Sequence, residues 1–463
     1  MPEPLFWAPR AWVGGAWHNA VLLRADASGH WAQISPEVTP VPAGASALPG
    51  PVLPGLVNAH SHAFQHAFAG MAERREREAD DFWSWRDRMY GVALRITPQQ
   101  LRAVAAQLYV ELLRGGYTQV CEFHYLHHAP DGQPYRDPAE TSWSLADAAQ
   151  GAGIGLTLLP VLYERAGFAQ PDLREDQRRF RSSADAVHDM YRSIRASGRP
   201  LVNAGVAIHS LRAAAPASID RLLTHIGDDD VPVHIHVAEQ TVEVTDCLAA
   251  TGARPIEWLC RGRRIDPRWQ LVHATHANGE EIDAVAGRGA GIVVCPSTEA
   301  NLGDGLTDLP AWLAAGVPIA LGSDSHVSRS WSEELRWLEY GQRLLRRARN
   351  VAAAPSSGQP ATAARLFGTV LAASGRAAGL SRWGLVVGAR ADMLVLDTTS
   401  PGLWGAPASH ALDALVFATD APAFREVYVA GRQLLAEGRH VDDAGIAGRF
   451  GEVMATLWAD TAP

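Results

Sequence analysis

VLPGLVNAHSH (52–62) reads as a buried β-strand that ends in chemistry. Its apolar residues run almost unbroken, as in a strand covered on both faces. It closes on His60 and His62, spaced i, i+2, so both rings leave the strand on one side. Seven more runs share the format: YTQVCEF (117–123), IGLTLLPVLY (154–163), VNAGVAIHS (202–210), VPVHIHVAE (231–239), WQLVHATH (269–276), GIVVCP (291–296) and VPIALGSD (317–324). Helical periodicity fills the intervals, as at 98–114, 177–196, 216–227 and 241–260. Strands alternating with helices define an α/β chain, and eight repeats predict a (β/α)8 TIM-like barrel, whose active site sits at the C-terminal strand ends.

Polar residues gather at those ends. His60 and His62 close the first run, His236 lies near the end of the fifth, His273 in the sixth, and Asp324 ends the eighth. Neutral imidazoles with one carboxylate suit zinc, and a catalytic zinc keeps a position open for water. A lone strand-end histidine is more often a core or surface residue than a ligand; the joint pattern points to a metal. His234 shares parity with His236, and reads as a barrel-interior histidine with a hydrogen-bond partner. His236 is the preferred ligand because Glu239 follows three residues later and could act as a general acid/base. The bland alternative for Glu239 is a first-turn helix carboxylate.

Outside the barrel the pattern changes. Residues 1–50 and 381–445 read as short strands and form a small β-sandwich domain built from both termini, leaving 51–380 as the catalytic barrel and 446–463 as a closing helix and tail. In a chain of 463 residues with net charge −9, no basic footprint predicts a nucleic-acid partner. The start lacks a signal-peptide layout, and no run reaches the roughly 18 apolar residues of a membrane helix. Cys121, Cys247, Cys260 and Cys295 are scattered, as in a reduced cytoplasmic protein. All 41 basic residues are arginine. That excludes Schiff-base lysines, a P-loop lysine and a two-metal site bridged by carboxylated lysine.

PGLVNAHSHAFQHAFAGMAE (54–73), HVAEQ (236–240), VHATH (272–276), CPSTEANLGDG (295–305) and GSDSHVS (322–328) together resemble the amidohydrolase superfamily. The likeness runs from about 50 to 345, and GARADMLVLD carries it into the terminal β-domain; SRSWSEEL (328–335) departs from the family form. HSHAFQ followed by the arginine of WSWRDRMY narrows it to deiminases of a formamidine carried on glutamate. The resemblance implies one zinc ion per chain on His60, His62, His236 and Asp324. It implies Glu239, His273 and Asp324 as catalytic residues, and Gln65, Arg86, Tyr125, His209 and Arg212 as substrate-binding residues. Arginine forks match the carboxylates of a small dicarboxylate substrate. The implied reaction is hydrolytic deimination of N-formimino-L-glutamate in histidine degradation, by a homodimer in the cytoplasm. Two other readings remain: a deaminase of a ring substrate such as guanine, cytosine, S-adenosylhomocysteine or a triazine, and a non-catalytic barrel that only binds.

Overall fold

The computed structural model describes residues 3–75, 82–262, 265–421 and 423–459; the outermost residues of the two expected terminal pieces, 1–2 and 460–463, lie outside the described residues. Eight parallel staves close into a barrel: β1 (Leu56–Ser61), β2 (Tyr117–His124), β3 (Gly155–Leu162), β4 in two pieces (Val202–Ala204 and Val206–Ile208), β5 (Val233–Val237), β6 (Trp269–His273), β7 (Gly291–Val294) and β8 (Ile319–Leu321). Closure is made by β8 on β1, with Leu321 opposite Asn58. The break in β4 falls at Gly205, where a Cβ would lie 2.5 Å from the Pro232 carbonyl oxygen; only glycine permits that approach.

The helix expected at 98–114 forms as Pro98–Arg114, started by a Thr97–Gln100 capping box with proline at its first position. Two other expected helices are broken. Over 177–196, a 3-10 turn, Glu175–Phe180, precedes a helix, Ala184–Ala196, capped by Ser183. The break frees Arg179 to turn inward, where it is fully buried and donates to the carbonyls of His128, Ala93 and Ile96. Over 241–260, Gly252 ends Thr241–Thr251 in the left-handed region at φ 73°, and Pro255 opens Pro255–Gly262.

The barrel floor is plugged from below. Helix Thr362–Ala377 ends there, and its last carbonyls take hydrogen bonds from side chains inside the barrel. His234 Nε2 and Cys121 Sγ lie 2.8 and 3.6 Å from the Ala377 oxygen. Thr157 and Asn203 donate to the Ala378 oxygen at 3.0 and 2.7 Å. These bonds satisfy carbonyls that a helix C-terminus leaves open, and give His234 the partner expected of a barrel-interior residue.

The chain ends meet in one nine-stranded sheet. Its order runs Arg439–His440, Arg432–Ala436, Phe424–Val429, Met393–Leu396, Val52–Leu53, Leu5–Val13, Ala16–Ala25 and Trp31–Ser35, with Ser46–Ala47 paired to Leu5–Val13. A core of its own joins Phe6, Val21, Leu23, Trp31, Met393 and Val395. Within the part read as strands, Ala411–Phe417 is a helix, and the closing helix is Asp443–Leu457. Among the described residues no helix is long and apolar enough to cross a membrane.

Candidate active site

At the C-terminal mouth, several staves end in strained turns. Ala238, His273, Ala274, Asp324 and His326 all have positive φ, between 47° and 68°. Non-glycine residues held in that region cost of order 1–3 kcal/mol each and collect at functional sites. Here the turns swing His273 and Asp324 over the mouth. Gly322, just before Asp324, leaves the space that His60 fills: a Cβ there would sit 2.6 Å from His60 Cβ.

Three imidazoles converge. His60 Nε2 lies 3.1 Å from His62 Nε2 and 2.9 Å from His236 Nε2. Asp324 Oδ1 stands 3.5 and 3.3 Å from the Nε2 atoms of His60 and His62. The Nδ1 atoms of His62 and His236 face the carbonyls of Phe123 and His209 at 2.9 and 3.0 Å, so each donates there and turns its Nε2 lone pair inward. Burial, reinforced by neighbouring histidines, pulls His60 and His236 well below the ordinary imidazole range and His62 to about 3. The His62 and His236 lone pairs, His60 Nε2 and the Asp324 carboxylate meet at one point, an arrangement that a cation between them would satisfy. The donor set therefore fits a zinc-class ion.

Beside this nest stands a proton-handling group. His273 Nε2 is 3.7 Å from both Glu239 Oε1 and Asp324 Oδ2, and its Nδ1 faces Glu299 Oε1 at 3.3 Å. Burial pulls the His273 imidazole down, but the Glu239, Glu299 and Asp324 carboxylates outweigh it and raise it to about 10. Burial, with Asp324 close by, lifts Glu239 to about 7, against the pull of His273. Glu239 is itself held by its chain: its backbone N–H and that of Ala238 donate to Glu243.

One pocket collects the rest. Gln65, Arg86, Tyr125, His209 and Arg212 line it together with His62, His236, Glu239, His273 and Asp324. Gln65 donates to the Tyr125 hydroxyl at 3.1 Å. His60, the remaining expected ligand, lies behind the lining, fully buried. Arg86 and Arg212 also border a wider outer cavity of about 710 Å³ shared with Gln170, Arg174 and Asp246. Burial lowers the Arg86 guanidinium, and the positive charge of Arg212 lowers it further.

Sequence reasoning passed over several residues here. Trp85, Met89, Tyr90, Tyr163, Phe180 and Leu302 form much of the wall. Glu299 fixes His273, and Glu122 receives the Ser61 hydroxyl and the Ala63 N–H just after the histidine pair. Glu299 and Asp304 both lie in the quoted CPSTEANLGDG stretch, where two acids in an otherwise uncharged motif were a usable signal.

A barrel with three histidines and an aspartate at its mouth belongs to a hydrolase class that the comparisons identify. Residues 52–434 match the amidohydrolase family, and the chain belongs to it. Formimidoylglutamate deiminase of Pseudomonas aeruginosa is 46% identical over 454 residues, covering 97% of this chain and 98% of that protein. Among solved structures, an amidohydrolase from Brucella melitensis superposes with a TM-score of 0.92 at 41% identity, covering 98% of this chain and 99% of its own. An adenosine deaminase from Xanthomonas campestris with bound zinc shares the fold, with a TM-score of 0.80 at 23% identity over 99% of this chain and 100% of its own.

Proposed function

We propose that this chain hydrolyses N-formimino-L-glutamate to N-formyl-L-glutamate and ammonia, as a step of histidine degradation. The observation that carries the reading is the convergence of Arg86 and Arg212 on the pocket that also holds Glu239, His273 and Asp324. Two guanidiniums suit a small acyclic dicarboxylate and do nothing for an uncharged ring. The near-full-length likeness to a formimidoylglutamate deiminase supports the same substrate.

In this reading His60, His62, His236 and Asp324 hold one zinc ion per chain. Zinc so held supplies a water acidified to a pKa of about 7 and a Lewis acid. The chain's own groups do the rest. Arg86 and Arg212 clamp the glutamate carboxylates, while Gln65, Tyr125 and His209 hydrogen-bond the substrate and fix the formimino carbon over the mouth. Asp324 or Glu239 accepts the proton of the attacking water. His273, oriented by Glu299, donates to the charge that develops at the reacting carbon. Glu239 then returns a proton to the departing nitrogen. The four unpaired, buried cysteines accord with a cytoplasmic enzyme, and we place it there as a homodimer.

Ammonia release from N-formimino-L-glutamate, measured beside guanine, cytosine and adenosine compounds, tests the proposal. Turnover confined to the dicarboxylate is expected. Turnover of a ring substrate, with none of the dicarboxylate, would overturn it.

A further inference from the structure

Asp304 has no part in the mechanism above, yet it is bound into the site from three sides. Its backbone N–H donates to the Glu299 carbonyl at 2.9 Å, and its own carbonyl faces His276 Nε2 at 2.9 Å. Its Oδ1 accepts from the side chain of Gln240, the residue after Glu239. Its Oδ2 is buried and, among the described residues, has no hydrogen-bond partner, in a residue only 4% exposed. Asparagine would keep the Gln240 bond and avoid burying a charge. Burial, with Glu239 nearby, raises the Asp304 carboxyl to about 9, so its ionised form calls for a cation beside it.

The neighbours say which cation fits. One carboxylate oxygen each from Glu239 and Asp304, with a ring nitrogen of His273, lie within 4.8 Å of one another. An ammonium nitrogen at about 2.8 Å from each of two carboxylate oxygens would set them about 4.6 Å apart at a tetrahedral angle. The proposed reaction makes that ion. A protonated formamidine and one water give a formamide and ammonium: a carbon–oxygen bond forms, the carbon–nitrogen bond breaks, and both protons of the water leave on nitrogen. Charge is +1 on each side and no other reactant is needed.

We propose that the Glu239 and Asp304 carboxylates form a receiving site for the departing ammonium ion, with Asp304 as its fixed acceptor. The inference rests on the deimination reading only for the source of the ion, since any ammonia-releasing hydrolysis at this mouth would load it. Glu239, ionised once it has returned its proton to the nitrogen, takes the ion as it leaves the carbon, and Asp304 draws it away from the formyl product.

Thermal unfolding of the metal-loaded protein in ammonium chloride against equal sodium chloride tests the site without turnover. Ammonium should raise Tm by a few degrees in the wild type through mass action. Asp304→Asn and Glu239→Gln should each abolish the difference while keeping metal. In steady state, ammonium should inhibit the wild type as a product, and Asp304→Asn should weaken that inhibition at least about tenfold and lower kcat with little change in KM. Equal Tm in the two salts for the wild type, or an undiminished ammonium shift in either variant, overturns the site. Should Asp304→Asn fail to fold, Glu239→Gln decides alone. A chain that ignores N-formimino-L-glutamate but keeps the ammonium shift would lose the substrate assignment and keep this site.

Discussion

Replacing Arg86 with methionine probes the substrate assignment most directly. Methionine keeps an unbranched apolar stem of similar reach, so the packing beside Tyr90, whose ring centroid lies 5.5 Å from the guanidinium carbon, changes little while the charge goes. At about 4 Å and an effective dielectric of about 20, one guanidinium–carboxylate pair is worth about 4 kcal/mol. Arg86 is half-buried and also borders the outer cavity, so solvent screens part of that; the expected loss is about 2–3 kcal/mol. In kcat/KM this is a fall of about 30- to 160-fold for N-formimino-L-glutamate. Arg212→Met should behave alike. The assay follows ammonia release for the dicarboxylate and for an analogue lacking one carboxylate, in both single variants and the double. One arginine should lose most of its effect on the analogue, because its partner carboxylate is gone. Unchanged kcat/KM for the dicarboxylate in both single variants would refute the two-arginine argument while leaving the hydrolase class intact.

Glu239→Gln and His273→Asn should each retain metal and lose at least about 10²-fold in kcat, the usual scale of general acid/base catalysis; near-normal turnover would remove that residue from the mechanism. Metal analysis of the purified protein should give one zinc-class ion per chain, and a reproducible two would contradict the three-histidine, one-aspartate nest. Glu334 offers a test of stability against pH. Burial raises its carboxyl to about 8, although it accepts both the N–H and the hydroxyl of Ser297. A carboxyl that holds its proton more tightly folded than unfolded stabilises fully below about pH 4.5, and that contribution is lost as pH climbs through about 8. Denaturant midpoints of the wild type should therefore fall between pH 6 and 9, and Glu334→Gln should fall less; equal slopes would show that Glu334 does not titrate in that window. Light scattering at micromolar concentration should return a dimer mass, and a monomer mass would reject the homodimer.

The barrel was legible because its signal is local and repeated. Each stave is a short apolar run with its polar residue at one end, and parity alone placed His60 beside His62. Residues whose position comes from a turn were harder. His273 and Asp324 were expected at the mouth because they lie near or at the ends of their runs, but the runs do not show the positive φ that aims them. Arg179 shows the opposite failure. Its segment carries helical periodicity, and the inward bonds of its side chain to the carbonyls of Ala93 and Ile96 depend on contacts distant in sequence. Asp304 stood in a quoted motif, but its role did not show there, because the side chains that meet it come from Gln240 and His276, far away in sequence.

The helix end that plugs the barrel floor sets an order on how the chain comes to life at the ribosome. The partners of Ala377 and Ala378 are spread over four staves, at Cys121, Thr157, Asn203 and His234. Until residue 378 emerges, those polar groups line an open-ended barrel, so the eight staves cannot settle into their final packing while synthesis is still short of that point. The opening hairpin waits longer still, because the Val52–Leu53 strand beside it is completed by Met393–Leu396. The nascent chain therefore carries an exposed strand edge for most of its translation, and it is during that interval that the protein is most open to capture by chaperones or to aggregation.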